Sequence, residues 1–142
     1  MASFTIRLAN LAENGPVVEV NVIPTGLYTE VLDPQRKTPP KPVGITAMFD
    51  TGATGSVIQT GIPGRLGLNP IGFTIISTAS SARVACLQYD LRLVFPNNVG
   101  VEGVFAELDL PRQSVQCLIG RDVLRHGVFI YTGYDNSYTF SV

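Results

Sequence analysis

The residues of this chain best suited to chemistry lie in one short segment, Asp50-Thr51-Gly52-Ala53. It falls between the apolar run 45–49 and the strand-like run 56–59, which predicts a tight turn between strands. Folding alone poorly explains an acidic residue there, where its carboxylate would lie within reach of a substrate. The segment occurs once, so acid–base chemistry with two carboxylates would need a second copy, most simply from a second identical chain. The alternative is that Asp50 only caps the backbone of its own turn.

The other reactive side chains give weaker signals. His126 is the only histidine, and it could act as a base for the nucleophile Ser137 or Cys117. No nucleophile motif surrounds either residue, so we expect His126 to be a histidine at a helix end. Asp122 is expected to be an acidic residue at a helix start. One histidine and two dispersed cysteines cannot build a usual zinc site, and no glycine-rich phosphate loop occurs, so no metal or cofactor is expected. The remaining aspartates are expected to be solvated: Asp33, Asp90, Asp109 and Asp135.

Length and charge restrict the class of protein further. A chain of 142 residues predicts a single domain over residues 1–142. The formal charge of −1, with no basic cluster beyond Arg36-Lys37, favours neither nucleic acid nor an anionic membrane as a partner. No apolar run could span a bilayer and the first residues lack a signal-peptide pattern, so we expect the cytoplasm. Cys86 and Cys117 are predicted to be buried free thiols.

Nearly every predicted element is a strand. Apolar and polar residues alternate in 4–8 and 18–22 around a turn at 14–16, which predicts an N-terminal hairpin. A proline-rich loop is predicted over 24–42, and the clearest strand runs from Leu87 to Phe95. A helix is predicted at 121–126 before a closing hairpin. Short strands at this spacing predict an all-β fold, a closed barrel or a sandwich.

Three features together resemble the retropepsin-like aspartic proteases. The turn at Asp50 is similar to their active-site turn, and Cys-Leu-Ile-Gly-Arg-Asp-Val-Leu at 117–124 is similar to their second signature of apolar residues, glycine and a short helix. Between them, a hairpin with the tip Thr78-Ala79-Ser80-Ser81 lies where these proteases carry a flap. The order of the features matches over residues 43–142, and Thr78-Ala79 is closer to cellular and bacterial members than to viral ones.

The resemblance implies an aspartic endopeptidase that is active as a homodimer on a peptide or protein substrate. Each chain would supply one Asp50, and the two carboxyl groups would share a proton. The implied catalytic residues are Asp50, Thr51 and Gly52, supported by Ile119, Gly120 and Arg121. The implied substrate-binding residues are Ala53, Thr54, Ile58, Ile76, Ser77, Thr78, Ala79, Ser80, Val84 and Leu118. The terminal segments 1–4 and 138–142 are predicted to pair in a dimer-interface sheet.

Departures from the viral members leave a second function open. Thr54 stands where they commonly have an acid, so Arg121 loses its usual carboxylate partner; Asp122 could substitute, or Arg121 could make a different contact. The flap tip has no glycine, and the loop at 24–42 is an insertion. The alternative is a catalytically inactive retropepsin-like module that dimerises or binds extended peptides.

Overall fold

The computed structural model describes residues 1–26, 40–77, 83–112 and 114–142. The strands are β1 (Ser3–Arg7), β2 (Val17–Ile23), β3 (Val43–Phe49), β4 (Val57–Gln59), β5 (Gly72–Ile76), β6 (Val84–Phe95), β7 (Val99–Leu108), β8 (Cys117–Ile119), β9 (Val128–Thr132) and β10 (Ser137–Ser141). The helices are α1 (Leu11–Asn14), α2 (Ile62–Arg65) and α3 (Arg121–Leu124), with 3-10 turns at Pro96–Asn98 and Gly133–Asp135. In these ranges no helix has the length and apolar character needed to cross a bilayer.

Six strands form a closed barrel. Their order is β2-β3-β8-β4-β7-β6, and the ring closes because β2 also pairs with β6. Strand β5 lies outside the ring and pairs with β6. The second sheet has three strands in the order β1-β10-β9. This arrangement confirms the predicted all-β fold with a closed barrel.

The alternation of β6 is explained by what covers each part of the strand. In the barrel, Tyr89, Leu91, Leu93 and Phe95 point to one side of the strand and are buried. Leu87 has the same parity but is 46 % exposed. It lies opposite Phe73, itself 72 % exposed, in the part of β6 that pairs with β5. The side of β6 that is covered therefore changes along the strand.

The predicted N-terminal hairpin is wrong. Strand β1 pairs with β10, whereas β2 pairs with β3 and β6 in the other sheet. Helix α1, which the sequence did not reveal, lies between them and buries Leu11. Alternation identified both strands, but their partners are distant in sequence and strand alternation carries no information about them.

An aromatic cluster joins the three-stranded sheet to the barrel. Phe4 of β1 stacks on Phe95 of β6 with ring centroids 5.4 Å apart. Phe49, the last residue of β3, lies 5.0 Å from Phe140 and 5.7 Å from Tyr138, both of β10. Burial of such rings contributes much of a core's stability. The cluster therefore fixes the end of β3, which is where Asp50 follows.

Several predicted features fall wholly or partly outside the described residues. The loop predicted at 24–42 is described only at 24–26 and 40–42. The two arms of the predicted flap hairpin are present, because β5 and β6 are antiparallel and Ile76 pairs with Val84. Thr78, Ala79 and Ser80, predicted to contact substrate, lie outside the described residues.

Candidate active site

Asp50 begins the loop between β3 and β4 and is held at its backbone. Strands β3 and β8 are parallel, with Phe49 beside Ile119, and the Asp50 N–H donates to the Ile119 carbonyl at 2.8 Å. The Ala53 N–H donates a hydrogen bond to the Asp50 carbonyl at 3.2 Å, which closes the turn. The position of Asp50 is therefore set by the sheet.

Among the described residues, the Asp50 carboxylate accepts a hydrogen bond at one of its two oxygens. Its Oδ1 accepts the Gly52 N–H at 2.9 Å, the geometry of an aspartate that caps its own turn. In the described part of the chain no other hydrogen bond reaches this carboxylate. Asp50 is half-buried and lines the cleft, so Oδ2 is available to a ligand or a second carboxyl group.

The start of helix α3 is attached to the Asp50 loop by backbone hydrogen bonds. The N–H of Arg121 donates to the Ala53 carbonyl at 2.9 Å, and the N–H of Asp122 donates to the Thr54 carbonyl at 3.2 Å. The first N–H groups of a helix have no partner within the helix, so the loop carbonyls satisfy them. The loop and α3 thus form one hydrogen-bonded unit.

Gly120 allows this close approach. A Cβ atom added at Gly120 would lie 2.8 Å from the carbonyl carbon and oxygen of Gly55 and 3.0 Å from the Ala53 oxygen. All three are backbone atoms, which cannot move without displacing the loop. Glycine is therefore required here by space, since its φ of −89° suits any residue.

Arg121 makes a contact different from the usual carboxylate pair. Its Nη1 donates to the Thr51 carbonyl at 2.7 Å and its Nη2 to Thr54 Oγ1 at 3.2 Å. The threonine hydroxyl thus accepts a bond from the guanidinium at the position where viral members commonly have an acid. Of the two alternatives open in the sequence, the different contact is the one observed.

Asp122 binds the far end of the same loop. Its Oδ1 accepts from Ser56 Oγ at 2.7 Å and its Oδ2 from the Ser56 N–H at 3.0 Å. Ser56 Oγ in turn accepts the Gly120 N–H at 2.9 Å, and Asp122 Oδ1 also accepts the Val123 N–H at 2.9 Å. Hydrogen bonds to an ionised carboxylate are stronger than neutral ones. Asp122 is therefore a helix-start acid, as expected, and also holds the loop through Ser56.

A cleft of about 930 Å³ lies beside Asp50. Seven predicted site residues line it: Asp50, Gly52, Ala53, Thr54, Ile76, Ser77 and Leu118. Most of the other lining residues are apolar, and they come from β4, β5, β7 and the segment that follows β7: Val57, Ile75, Val104, Ala106, Leu108, Leu110 and Pro111. The remaining lining residues are Gly55 and the polar residues Ser56, Thr74, Gln88 and Asp122. The cleft is thus mainly apolar, with the Asp50 carboxylate as one of its two charged groups.

Some predicted site residues do not reach the cleft. Ile58 has 0 % of its surface exposed and packs in the main core, so its predicted role in substrate binding is corrected here. Val84 packs against the small apolar cluster that contains Val57 and Cys86, and it does not line the cleft. Thr51 is exposed outside the cleft lining. The predicted supporting residue Ile119 is buried in the core with no exposed surface.

Sequence reasoning missed the wall of the cleft formed by β7 and its continuation. Val104, Ala106 and Leu108 share one side of β7, and this period of two was a usable signal. Beyond β7, the Leu110 N–H donates to Gln59 Oε1 at 2.9 Å. Gln59 thereby holds the end of the wall, a contact that no sequence pattern indicates.

The two cysteines do not offer a competing nucleophile. Both are free and buried, as predicted. Burial raises the pKa of the Cys117 thiol far above its ordinary range, and the nearby Asp122 carboxylate raises it further. Burial also raises the pKa of Cys86. Both thiols therefore stay protonated at neutral pH. Among the described residues, no three His, Cys, Asp or Glu side chains are grouped so as to hold a metal ion.

The closed barrel, the Asp50 loop and the glycine-dependent packing of α3 against it define a retropepsin-like fold. The chain is similar to a retropepsin-like aspartic protease from Rickettsia conorii, with a TM-score of 0.57 and 13% identity over 98% of this chain and 90% of that one. A Legionella pneumophila protein of unknown function also matches, with a TM-score of 0.34 and 12% identity over 58% of this chain and 75% of that one. No family model and no curated protein matches the sequence.

Proposed function

We propose that this chain is an aspartic endopeptidase that acts as a homodimer, with one Asp50 from each chain in the catalytic pair. The observation that carries the proposal is the Asp50 carboxylate itself. It lies at an apolar cleft on a loop fixed by β8 and α3, and one of its oxygens is free within the described chain. Because each chain brings a single Asp50 loop, a second copy must complete the pair.

The chemistry follows from bringing two such carboxyl groups together. Two carboxyl groups about 3 Å apart do not both ionise easily and share one proton, as in aspartic proteases generally. The ionised member takes a proton from water as the water oxygen attacks the scissile carbonyl carbon, and the protonated member donates to the carbonyl oxygen. Proton transfer to the amide nitrogen then lets the carbon–nitrogen bond break. Titration would belong to the pair rather than to either Asp50.

The proposed substrate is an extended peptide or a protein segment. Apolar side chains of the substrate would contact Ile76, Leu108 and Leu118, which line the cleft. Thr78, Ala79 and Ser80, which the resemblance implies contact the substrate, are included in the proposed substrate-binding site.

The test is cleavage of a diverse peptide mixture from about pH 3.5 to 7.5 by wild type and Asp50→Asn. We expect Asp50→Asn to lower cleavage by at least about a thousandfold, because an amide can neither share the proton nor act as the base. Asp90→Asn is the matched control, since Asp90 is a β6 carboxylate outside the cleft lining. It should cleave as wild type does. Equal cleavage by Asp50→Asn would refute the mechanism.

The same experiment decides the alternative of an inactive module. The absence of an acid at Thr54 was one reason to consider that alternative, yet Arg121 still bonds the loop through the Thr54 hydroxyl. If a folded wild-type chain cleaves no peptide across this pH range, the protease proposal fails and the peptide-binding or dimerisation function is preferred.

A further inference from the structure

The cleft beside Asp50 carries negative charge. Its described lining contains two carboxylates, those of Asp50 and Asp122, and no lysine, arginine or histidine. The guanidinium of Arg121 bonds the start of the Asp50 loop, and Arg83, just before β6, is exposed; neither residue lines the cleft. Because most of the remaining lining is apolar, a carboxylate there interacts with the charge of a ligand more strongly than it would in open water.

The Asp122 carboxylate has no countercharge within the described part of the chain. Its hydrogen-bond donors are neutral groups: the Ser56 hydroxyl and the Val123 N–H reach Oδ1, and the Ser56 N–H reaches Oδ2. No ion pair includes Asp122 among the residues that the structure describes. A carboxylate oxygen accepts about two hydrogen bonds, so Oδ2 has room for another donor. The fold therefore orients this carboxylate without balancing its charge.

The cleft is open next to this carboxylate. The Ser56 N–H donates to Asp122 Oδ2 at 3.0 Å, so the preceding residue, Gly55, lies beside the carboxylate, and both loop residues line the cleft. A Cβ atom added at Gly55 would meet no atom within 4 Å. Val57 and Leu118, which pair across β4 and β8, provide apolar surface in the same cleft. A ligand side chain with an apolar stem and a positively charged end matches this combination.

We propose that Asp122 gives the cleft a preference for peptides that carry a lysine or arginine side chain. The ammonium or guanidinium group binds the Asp122 carboxylate, and the methylene stem packs on the apolar wall. A glutamate or aspartate in the same place would face a like charge and is disfavoured. The inference rests on the proposed function for its ligand, an extended peptide. Since each chain of the proposed homodimer brings one Asp122, basic side chains are favoured on both sides of the scissile bond.

The test measures which residues are enriched among the peptides that the protein cuts from a random mixture of peptides about eight residues long. We expect wild type to favour lysine and arginine over glutamine about fivefold at the positions that reach Asp122, as a partly exposed charge pair allows. Asp122→Asn should abolish this preference. Because the readout is a ratio between peptides, a loss of activity that affects all peptides equally cancels out.

Two variants serve as matched controls. Asp90→Asn removes a carboxylate outside the cleft lining and should keep the wild-type preference. Ser56→Ala removes one hydrogen bond to Asp122 but not its charge, so it should lower cleavage overall while basic residues stay enriched. The inference is overturned if wild type shows no preference for basic residues or if Asp122→Asn keeps it. Loss of the preference in either control would also overturn it.

A binding measurement separates this inference from the protease itself. The same mixture is passed over immobilised Asp50→Asn protein, and the retained peptides are sequenced. Suppose that basic peptides are retained, that adding Asp122→Asn abolishes their retention, and that wild type cuts nothing. This result would refute the protease and leave the preference of the cleft standing. Asp50-dependent cleavage without enrichment of lysine or arginine would do the reverse.

Discussion

The turn-capping role of Asp50 is compatible with the catalytic role proposed for it, although the sequence presents the two as alternatives. Its Oδ1 caps the turn through the Gly52 N–H, as a purely structural aspartate would. The same bond orients the carboxylate, and in the part of the chain that the structure describes the other oxygen accepts no hydrogen bond at the cleft. Turn capping is therefore no argument against catalysis, because a preorganised carboxylate is what the chemistry needs.

At the same scale, the loop depends on contacts that only partly follow from the sequence. The motif at 117–124 predicted that Gly120 and Arg121 support the loop. It could not reveal the bonds between Ser56 and Asp122, because a serine and an aspartate 66 residues apart form no recognisable pattern. Such pairings depend on how the sheet brings β4 beside β8.

Gly120→Ala tests the close approach of loop and helix. The added methyl group would meet the Gly55 and Ala53 backbone, so we expect a loss of about 1–3 kcal/mol in the free energy of unfolding. Cleavage should also fall, because the displaced loop carries Asp50. Gly64→Ala in α2 is the control, as nothing lies within 4 Å of its added Cβ.

The stability of the two glycine variants is measured by urea denaturation. Their peptide cleavage is measured below the unfolding transition, so that a loss of activity is not confused with unfolding. Gly64→Ala should be neutral or more stable by up to about 1 kcal/mol from helix propensity. A Gly120→Ala protein as stable and as active as wild type would show that the loop does not need this contact.

At the scale of elements, strand positions were predictable and strand partners were not. Alternation located β1, β2 and β6, whereas the helix predicted at 121–126 ends at Leu124. The N-terminal hairpin was wrong because β1 pairs with a strand more than a hundred residues away. The wall of β7 was missed for a related reason: alternation shows that a strand has two sides but not what each side faces.

The terminal strands also show that the sequence predicts where strands lie but not what they pair with. Tyr138 and Phe140 of β10 have no exposed surface and pack in the core. Deleting the last five residues would remove the central strand of the terminal sheet, so a truncated chain would lose its fold rather than only its dimer contact.

At the scale of the whole molecule, buried groups that titrate at alkaline pH predict that the free energy of unfolding decreases there. Burial raises the pKa of Tyr138, whose hydroxyl donates to the Val17 carbonyl, and also raises that of Cys117. A pKa higher in the folded than in the unfolded chain gives stability that is complete below the unfolded value and lost as the pH rises above it. Stability should therefore fall from about pH 9 upward, as unfolded cysteine and then tyrosine ionise first.

Tyr138→Phe should reduce the steepness with which the free energy of unfolding falls as the pH rises. Above about pH 10 it removes a slope of about 1.4 kcal/mol per pH unit in the free energy of unfolding. At pH 7 the variant should be less stable by about 1–2 kcal/mol, because the Val17 carbonyl loses its partner. Urea denaturation from about pH 7 to 11 measures both effects. Tyr134→Phe, at a residue 92 % exposed, is the control, and an equal change of slope in that variant would contradict the assignment to Tyr138.

The central claim is that two copies of Asp50, one from each chain, make one catalytic centre. It is tested most directly by unfolding wild-type and Asp50→Asn chains together, refolding them at equal amounts, and measuring cleavage at a fixed total concentration. If both copies are needed, only wild-type pairs are active, and the rate should be about one quarter of that of wild type alone. A rate of about one half would show that each chain acts independently, and would contradict the account.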